Sequence, residues 1–130
     1  TCNPISENCN VWLYGNNNAS PSQDWGIGLE SVVDGKTYYK FYNIGYSNKC
    51  LDVDSNGTSD STNVRSYTCN SSDGQRFYLE PAGNDYYYIK HKTSNKCVDI
   101  VGGATTDGTN IQIYTCNNSN AQKWKFVEAN

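Results

Sequence analysis

"NVRSYTCN" at residues 63–70 and "NIQIYTCN" at 110–117 are two spellings of one string, set 47 residues apart (110 − 63). A fixed offset of that size marks a repeated supersecondary unit. Extended outward, residues 47–80 lie over 94–127 without a gap: "SNKCLDV" falls on "SNKCVDI", "TNVRSYTCN" on "TNIQIYTCN" and "GQRF" on "AQKW". Each copy breaks into short apolar runs, such as "YYKFYNI", "CLDV", "VRSY" and "QRFYL", separated by clusters of Gly, Asn, Ser and Asp. Short β-prone runs with turn residues between them predict four strands per unit.

A worn copy precedes these two. "NVWLYG" (10–15) lies over "NVRSYT" (63–68), and "SQDWGIGLE" puts Gln23 and Trp25 in the places of Gln75 with Phe77 and Gln122 with Trp124. With little more than "TCNPISENCN" ahead of it, this first copy has room for little of its first two strands. The expected organisation is one domain of three units, about 1–37, 38–84 and 85–130, the first shortened and degenerate.

The bulk properties agree with a single all-β domain. A chain of 130 residues is long enough for one core and short for two. Eleven Tyr, three Trp and eleven Gly, among many Asn, Ser and Thr, suit short strands and tight turns. Ten basic against thirteen acidic residues, with no basic run, lack the electrostatic footprint of a nucleic-acid binder. No apolar stretch approaches the roughly 20 residues that span a bilayer, so membrane insertion is not expected. The N-terminus has neither region of a signal peptide, and a secreted chain of this kind is expected to have lost its leader already.

Six cysteines and no methionine favour an oxidising compartment and disulfides. Cys50 and Cys69 stand 19 apart, as do Cys97 and Cys116, at equivalent points of their units. These spacings predict Cys50–Cys69 and Cys97–Cys116, with Cys2–Cys9 by subtraction. One histidine, His91, and no Cys-x-x-Cys leave a zinc reading without ligands. "DVDSNG" (52–57) opens like an EF-hand loop, but Asn63 stands where the bidentate glutamate belongs. Neither a metal nor a cofactor is expected.

Three units of 40 to 50 residues, each ending in Gln-x-Trp or a variant, resemble the ricin B-chain type lectins and the carbohydrate-binding modules of family 13. The ordered series Cys-x-Asp, Tyr-x-Cys-Asn, Gln-x-Trp carries the resemblance, most fully over residues 38–130. It implies a β-trefoil and non-catalytic carbohydrate binding through shallow pockets. Carried over position by position, it implies sugar contacts from Asp99, Tyr114, Asn117 and Asn120 in the third unit, and from Asp52, Tyr67, Asn70 and Asp73 in the second. The residue directly before the glutamine is Ala121 or Gly74 here, where the family has asparagine. The first unit keeps Trp12, Tyr14 and Asn17 but no Cys-x-Asp carboxylate, so its pocket is expected to be dead or different.

Elementary chemistry supports the same residue types. A sugar offers hydroxyls that donate and accept around a weakly apolar C–H face, so its pocket needs an aromatic plate ringed by polar groups. Tyr114 can be the plate, Asp99 accepts from adjacent hydroxyls, and Asn117 or Asn120 both donate and accept. Gln112, two residues before Tyr114, shares its face of a strand; Arg65 takes that place in the second unit, which either changes its specificity or leaves it empty. Plainer roles exist for each: turn aspartates for Asp52 and Asp99, cross-strand aromatics for Tyr67 and Tyr114. Gln23, Gln75, Gln122, Trp25, Phe77 and Trp124 read as scaffold.

Sequons at Asn18, Asn56, Asn70 and Asn117 set a condition, because a glycan on Asn70 or Asn117 would cover a pocket. The expected partner is a galactose- or xylose-type glycan or polysaccharide, met by a free lectin or by the binding module of a larger secreted glycoside hydrolase, covalently linked to its catalytic domain. A glycosidase would need paired carboxylates at about 5–10 Å, and Asp52 and Asp99 belong to different units. The alternative is a trefoil protease inhibitor or toxin-associated subunit acting through a surface loop, with "GNNNASPSQ" (15–23) as the candidate.

Overall fold

The computed structural model describes residues 9–15, 24–43, 48–103 and 110–128, with side chains over 26–43, 48–102 and 110–126. Among the described residues ten strands form: β1 (Cys9–Gly15), β2 (Asp24–Val33), β3 (Lys36–Asn43), β4 (Lys49–Val53), β5 (Thr62–Thr68), β6 (Phe77–Gly83), β7 (Tyr86–His91), β8 (Cys97–Ile100), β9 (Ile111–Tyr114) and β10 (Trp124–Glu128). Single 3-10 turns at Asp54–Asn56, Asp73–Gln75, Val101–Gly103 and Asn120–Gln122 sit between them.

Six strands close a ring of antiparallel pairs, β1–β2–β3–β6–β7–β10 and back to β1. The β2–β3 and β6–β7 hairpins turn through Asp34-Gly35 and Asn84-Asp85, all four at positive φ, as two-residue hairpins require. Their registers superpose, since Trp25 faces Asn43, Phe77 faces His91, and Trp124 faces Gly15. The remaining strands make two hairpins, β4–β5 and β8–β9, which cap one end of the ring and meet where β5 pairs with β9. A closed six-stranded ring with capping hairpins, repeated about a pseudo-threefold axis, is a β-trefoil. Among the described residues the second and third units supply four strands each and the first supplies two.

The register corrects one assignment. By sequence likeness "NVWLYG" is expected to be a third strand, equivalent to β5. Instead β1 pairs with β2 at Val11–Trp25 as β3 pairs with β6 at Tyr39–Phe77 and β7 with β10 at Tyr87–Trp124. β1 is therefore the first strand of its unit. Eight residues (16–23) join it to β2, whereas 33 residues (44–76) join β3 to β6. The described part of the first unit thus holds both ring strands and neither strand of a cap hairpin.

Burial explains why the ring holds. Ile27, Phe41, Phe77, Ile89, Ile113, Val53 and Val98 are essentially inaccessible and form one cluster with Leu51, Val64, Ile100 and Trp124. Each such side chain contributes roughly 1.5–3 kcal/mol by leaving water. Phe41 packs edge-on to Phe77, with ring centres 5.9 Å apart. The expected disulfides Cys50–Cys69 and Cys97–Cys116 are both present, with Cα separations of 5.0 and 5.2 Å. Cys2 lies outside the described residues, as do Asn17, Asn18, Gln23 and the loop 16–23.

Candidate functional site

Each cap hairpin presents one face to the core and one outward. In β9, Ile113 is buried while Gln112 and Tyr114 lie on the other face, the alternation that a half-buried strand demands. Across the ladder Asp99 of β8 stands directly opposite Gln112. These side chains, with Asn117, Asn120, Gly102, Ser119 and Ala121, line an open cavity of about 630 Å³. All five residues anticipated in the third unit are brought together.

Asp99 is 6% exposed and holds two amide donors: Gln112 Nε2 at 3.2 Å on Oδ1 and Gln122 Nε2 at 2.8 Å on Oδ2. It sits within a strand, not in a turn, and both partners are neutral, so its negative charge is presented to the cavity. A carboxylate has about four lone-pair sites, which leaves acceptor capacity for incoming hydroxyls. Tyr114, 36% exposed, offers an open aromatic surface at the rim. Asn117 Oδ1 accepts from Ser119 N at 3.0 Å.

Gln122 does more than the scaffold role expected of it. Its Nε2 also donates to Thr115 O at 3.0 Å, and its Oε1 accepts from Asn117 N at 2.9 Å, tying down the segment that carries Tyr114 and Asn117. Gln75 makes the equivalent bonds to Thr68 O and Asn70 N, both at 2.9 Å, but none to Asp52. The cavity residues that sequence reasoning missed are Gly102, Ser119 and Ala121. Gly102 adopts φ 65°, and its place beside a Cys-x-Asp strand in "VGG" was the available signal.

The second unit places the same positions differently. Asp52, 4% exposed, faces Arg65 across the β4–β5 ladder and takes its Nε–H at 2.8 Å. The Arg65 guanidinium lies over the Tyr67 ring, 4.0 Å from its centre, and Nη1 approaches Asp54 at 3.2 Å. Both carboxylates of the EF-hand-like string thus converge on a cation supplied by the chain itself. Asn70 accepts from Ser72 N at 3.0 Å, as Asn117 does from Ser119. Asp73 is held by Arg76 at 2.9 Å and Lys92 at 3.3 Å; burial opposes its charge, yet these hydrogen bonds prevail and keep its pKa below the ordinary carboxylate value.

Comparison with known proteins follows this geometry. A family model described as ricin-type beta-trefoil lectin domain-like matches residues 21–114 and 94–130. The chain belongs to that family. Carbohydrate binding in general is the activity this membership supports. Among solved structures, the designed threefold-symmetric protein ThreeFoil is 27% identical, with a TM-score of 0.80 over 92% of this chain and 99% of that one. The exo-beta-1,3-galactanase 1,3Gal43A from Clostridium thermocellum is 23% identical, with a TM-score of 0.78 over 93% of this chain and 30% of that one. The Rhizoctonia solani agglutinin is 16% identical, with a TM-score of 0.75 over 97% and 99%. These last two share the fold, and this chain spans less than a third of the galactanase's length. A comparison with curated protein sequences finds no match.

Proposed function

We propose that this ricin-type domain binds carbohydrate without catalysis through the cavity of its third unit. The observation that carries this reading is the convergence of Asp99, Gln112, Tyr114, Asn117 and Asn120 on one open cavity. Tyr114 serves as the plate for the C–H face of a sugar ring, Asp99 accepts from hydroxyls at its edge, and Asn117 and Asn120 complete the polar rim. Gln112 and Gln122 hold Asp99 in place. A few hydrogen bonds and one stacked ring correspond to roughly millimolar affinity, about −4 kcal/mol.

Paired-carboxylate hydrolysis finds no support in this geometry. The groups that meet Asp99 are amides, and the equivalent Asp52 is engaged by Arg65 on the other hairpin. Galactose- or xylose-type glycans and polysaccharides are the substrate classes we favour, for a secreted chain acting alone or linked to a glycoside hydrolase. The disulfides are consistent with an extracellular setting.

A glycan and polysaccharide binding screen tests the proposal, run on the native chain and on Asp99→Ala with circular dichroism as the folding control. Removing the carboxylate is expected to weaken binding at least tenfold. Undiminished binding by a folded Asp99→Ala chain would place the site elsewhere.

A further inference from the structure

The two cap hairpins share a backbone and a register, so their differences can be compared position by position. Asp52 is the equivalent of Asp99, Tyr67 of Tyr114 and Asn70 of Asn117. Two differences flank the carboxylate, Arg65 for Gln112 and Asp54 for Val101, while at the rim Asp73 stands for Asn120. Those two differences meet each other, because Arg65 Nη1 lies 3.2 Å from Asp54 Oδ1. The same guanidinium donates to Asp52 at 2.8 Å and covers the Tyr67 ring at 4.0 Å. A flat, hydrogen-bonding group therefore lies on the aromatic plate and engages the carboxylate.

We propose that Arg65 is a built-in occupant of the second-unit pocket, taking the place between Tyr67 and Asp52 that a sugar takes between Tyr114 and Asp99. The inference rests on the reading of the third-unit cavity given above. Of the two described cap hairpins, the native domain then binds through that of the third unit, and the second holds a latent site closed by one side chain and locked by Asp54. Charge argues against the other use of an arginine here, capture of an acidic sugar. Arg65 is already shared by Asp52 and Asp54, so an acidic ligand would have to compete with two carboxylates for one guanidinium. Competition explains the closure: an intramolecular ion pair forms without the loss of translational freedom that a free sugar incurs, and a sugar held at roughly millimolar strength does not displace it.

The test exchanges the two positions that flank the carboxylate. Arg65→Gln with Asp54→Val gives the second hairpin the third's residues at these two positions, where an amide already supports the buried carboxylate. Gln112→Arg with Val101→Asp does the reverse. Methyl β-galactoside and xylobiose are titrated separately into 15N-labelled chains, and the resonances of each hairpin are followed. The native chain is expected to shift only around residues 99, 112 and 114, with one sugar per chain. The opened variant is expected to shift around 52, 65 and 67 as well, with two sugars per chain. The reverse variant is expected to lose binding while keeping its melting temperature.

Shifts at both hairpins in the native chain, or a folded opened variant that still binds a single sugar, would overturn the proposal. If neither probe binds the native chain, that outcome counts against the third-unit site. Arg65 is then judged by its own Nε–H resonance. Slow exchange with water and a cross-peak to the Tyr67 ring support the plug; rapid exchange without that cross-peak overturns it.

Discussion

His91 is the one histidine, and the structure gives it a place that its sequence context did not disclose. It is fully buried, with Nε2 2.7 Å from Asn56 Oδ1 and Nδ1 2.8 Å from Ser94 Oγ. Asn56 Oδ1 can only accept, so Nε2 carries the proton and Nδ1 accepts from the hydroxyl, a satisfied neutral ring. The side chain ties the Asp54–Asn56 turn of the second unit to β7 of the third, a structural duty that leaves no room for acid–base chemistry. Burial lowers its pKa from 6.5 to about 4. Because the folded value lies below the unfolded one, the unfolded chain takes up more protons between those values. Stability is therefore full above pH 6.5 and falls as pH drops toward 4, by on the order of 3 kcal/mol. Thermal melts across that range should show the loss in the native chain and a shallower slope in His91→Gln; parallel slopes would assign the acid sensitivity to other groups.

At the scale of elements, the third-unit site depends on a hairpin clamped at both ends. Cys97 lies two residues before Asp99, and Cys116 lies between Tyr114 and Asn117's backbone anchor on Gln122. Replacing Cys97 and Cys116 by serine should lower stability by roughly 3 kcal/mol through the freed loop and weaken sugar binding as well. The matching change at Cys50 and Cys69 should cost similar stability and leave affinity alone. Urea midpoints and sugar titrations on both variants separate the two effects, and equal losses of affinity would contradict the one-pocket reading. The grouping of Asp99, Gln112 and Tyr114 was legible in the sequence because these residues sit at recurring spacings and the last two alternate along one strand. The contacts of Arg65 with Asp52, Asp54 and Tyr67 were not, although Arg65 was visible as a departure. Its meaning rests on the cross-strand register that sets Arg65 opposite Asp52 and on the turn that brings up Asp54. β1 was misplaced for a related reason: "NVWLYG" and "NVRSYT" have the same strand propensity, and only distant partners distinguish a first strand from a third.

The whole molecule is a ring before it is three repeats. β1 is paired on both sides, with β2 and with β10, so it is an interior member of the barrel despite belonging to the degenerate unit. Leu13→Pro removes a backbone donor in the middle of that strand, where proline is not accommodated. We expect one cooperative urea transition at a markedly lower midpoint, detected alike by tryptophan fluorescence and far-ultraviolet circular dichroism. Two transitions, with the second and third units melting at the native midpoint, would mean that those units stand without the ring.

The seam between β1 and β10 also orders events in time. Val11 lies opposite Glu128, 117 positions further along the chain (128 − 11), so the contact that completes the barrel is highly non-local. Hairpins such as β6–β7 can form on the ribosome as they emerge, whereas the ring has no closed form until its final strand has been released. Until then β1 is a strand without its second neighbour, and the nascent domain is a curl of sheet with two open edges that depends on rapid completion or on a chaperone's cover.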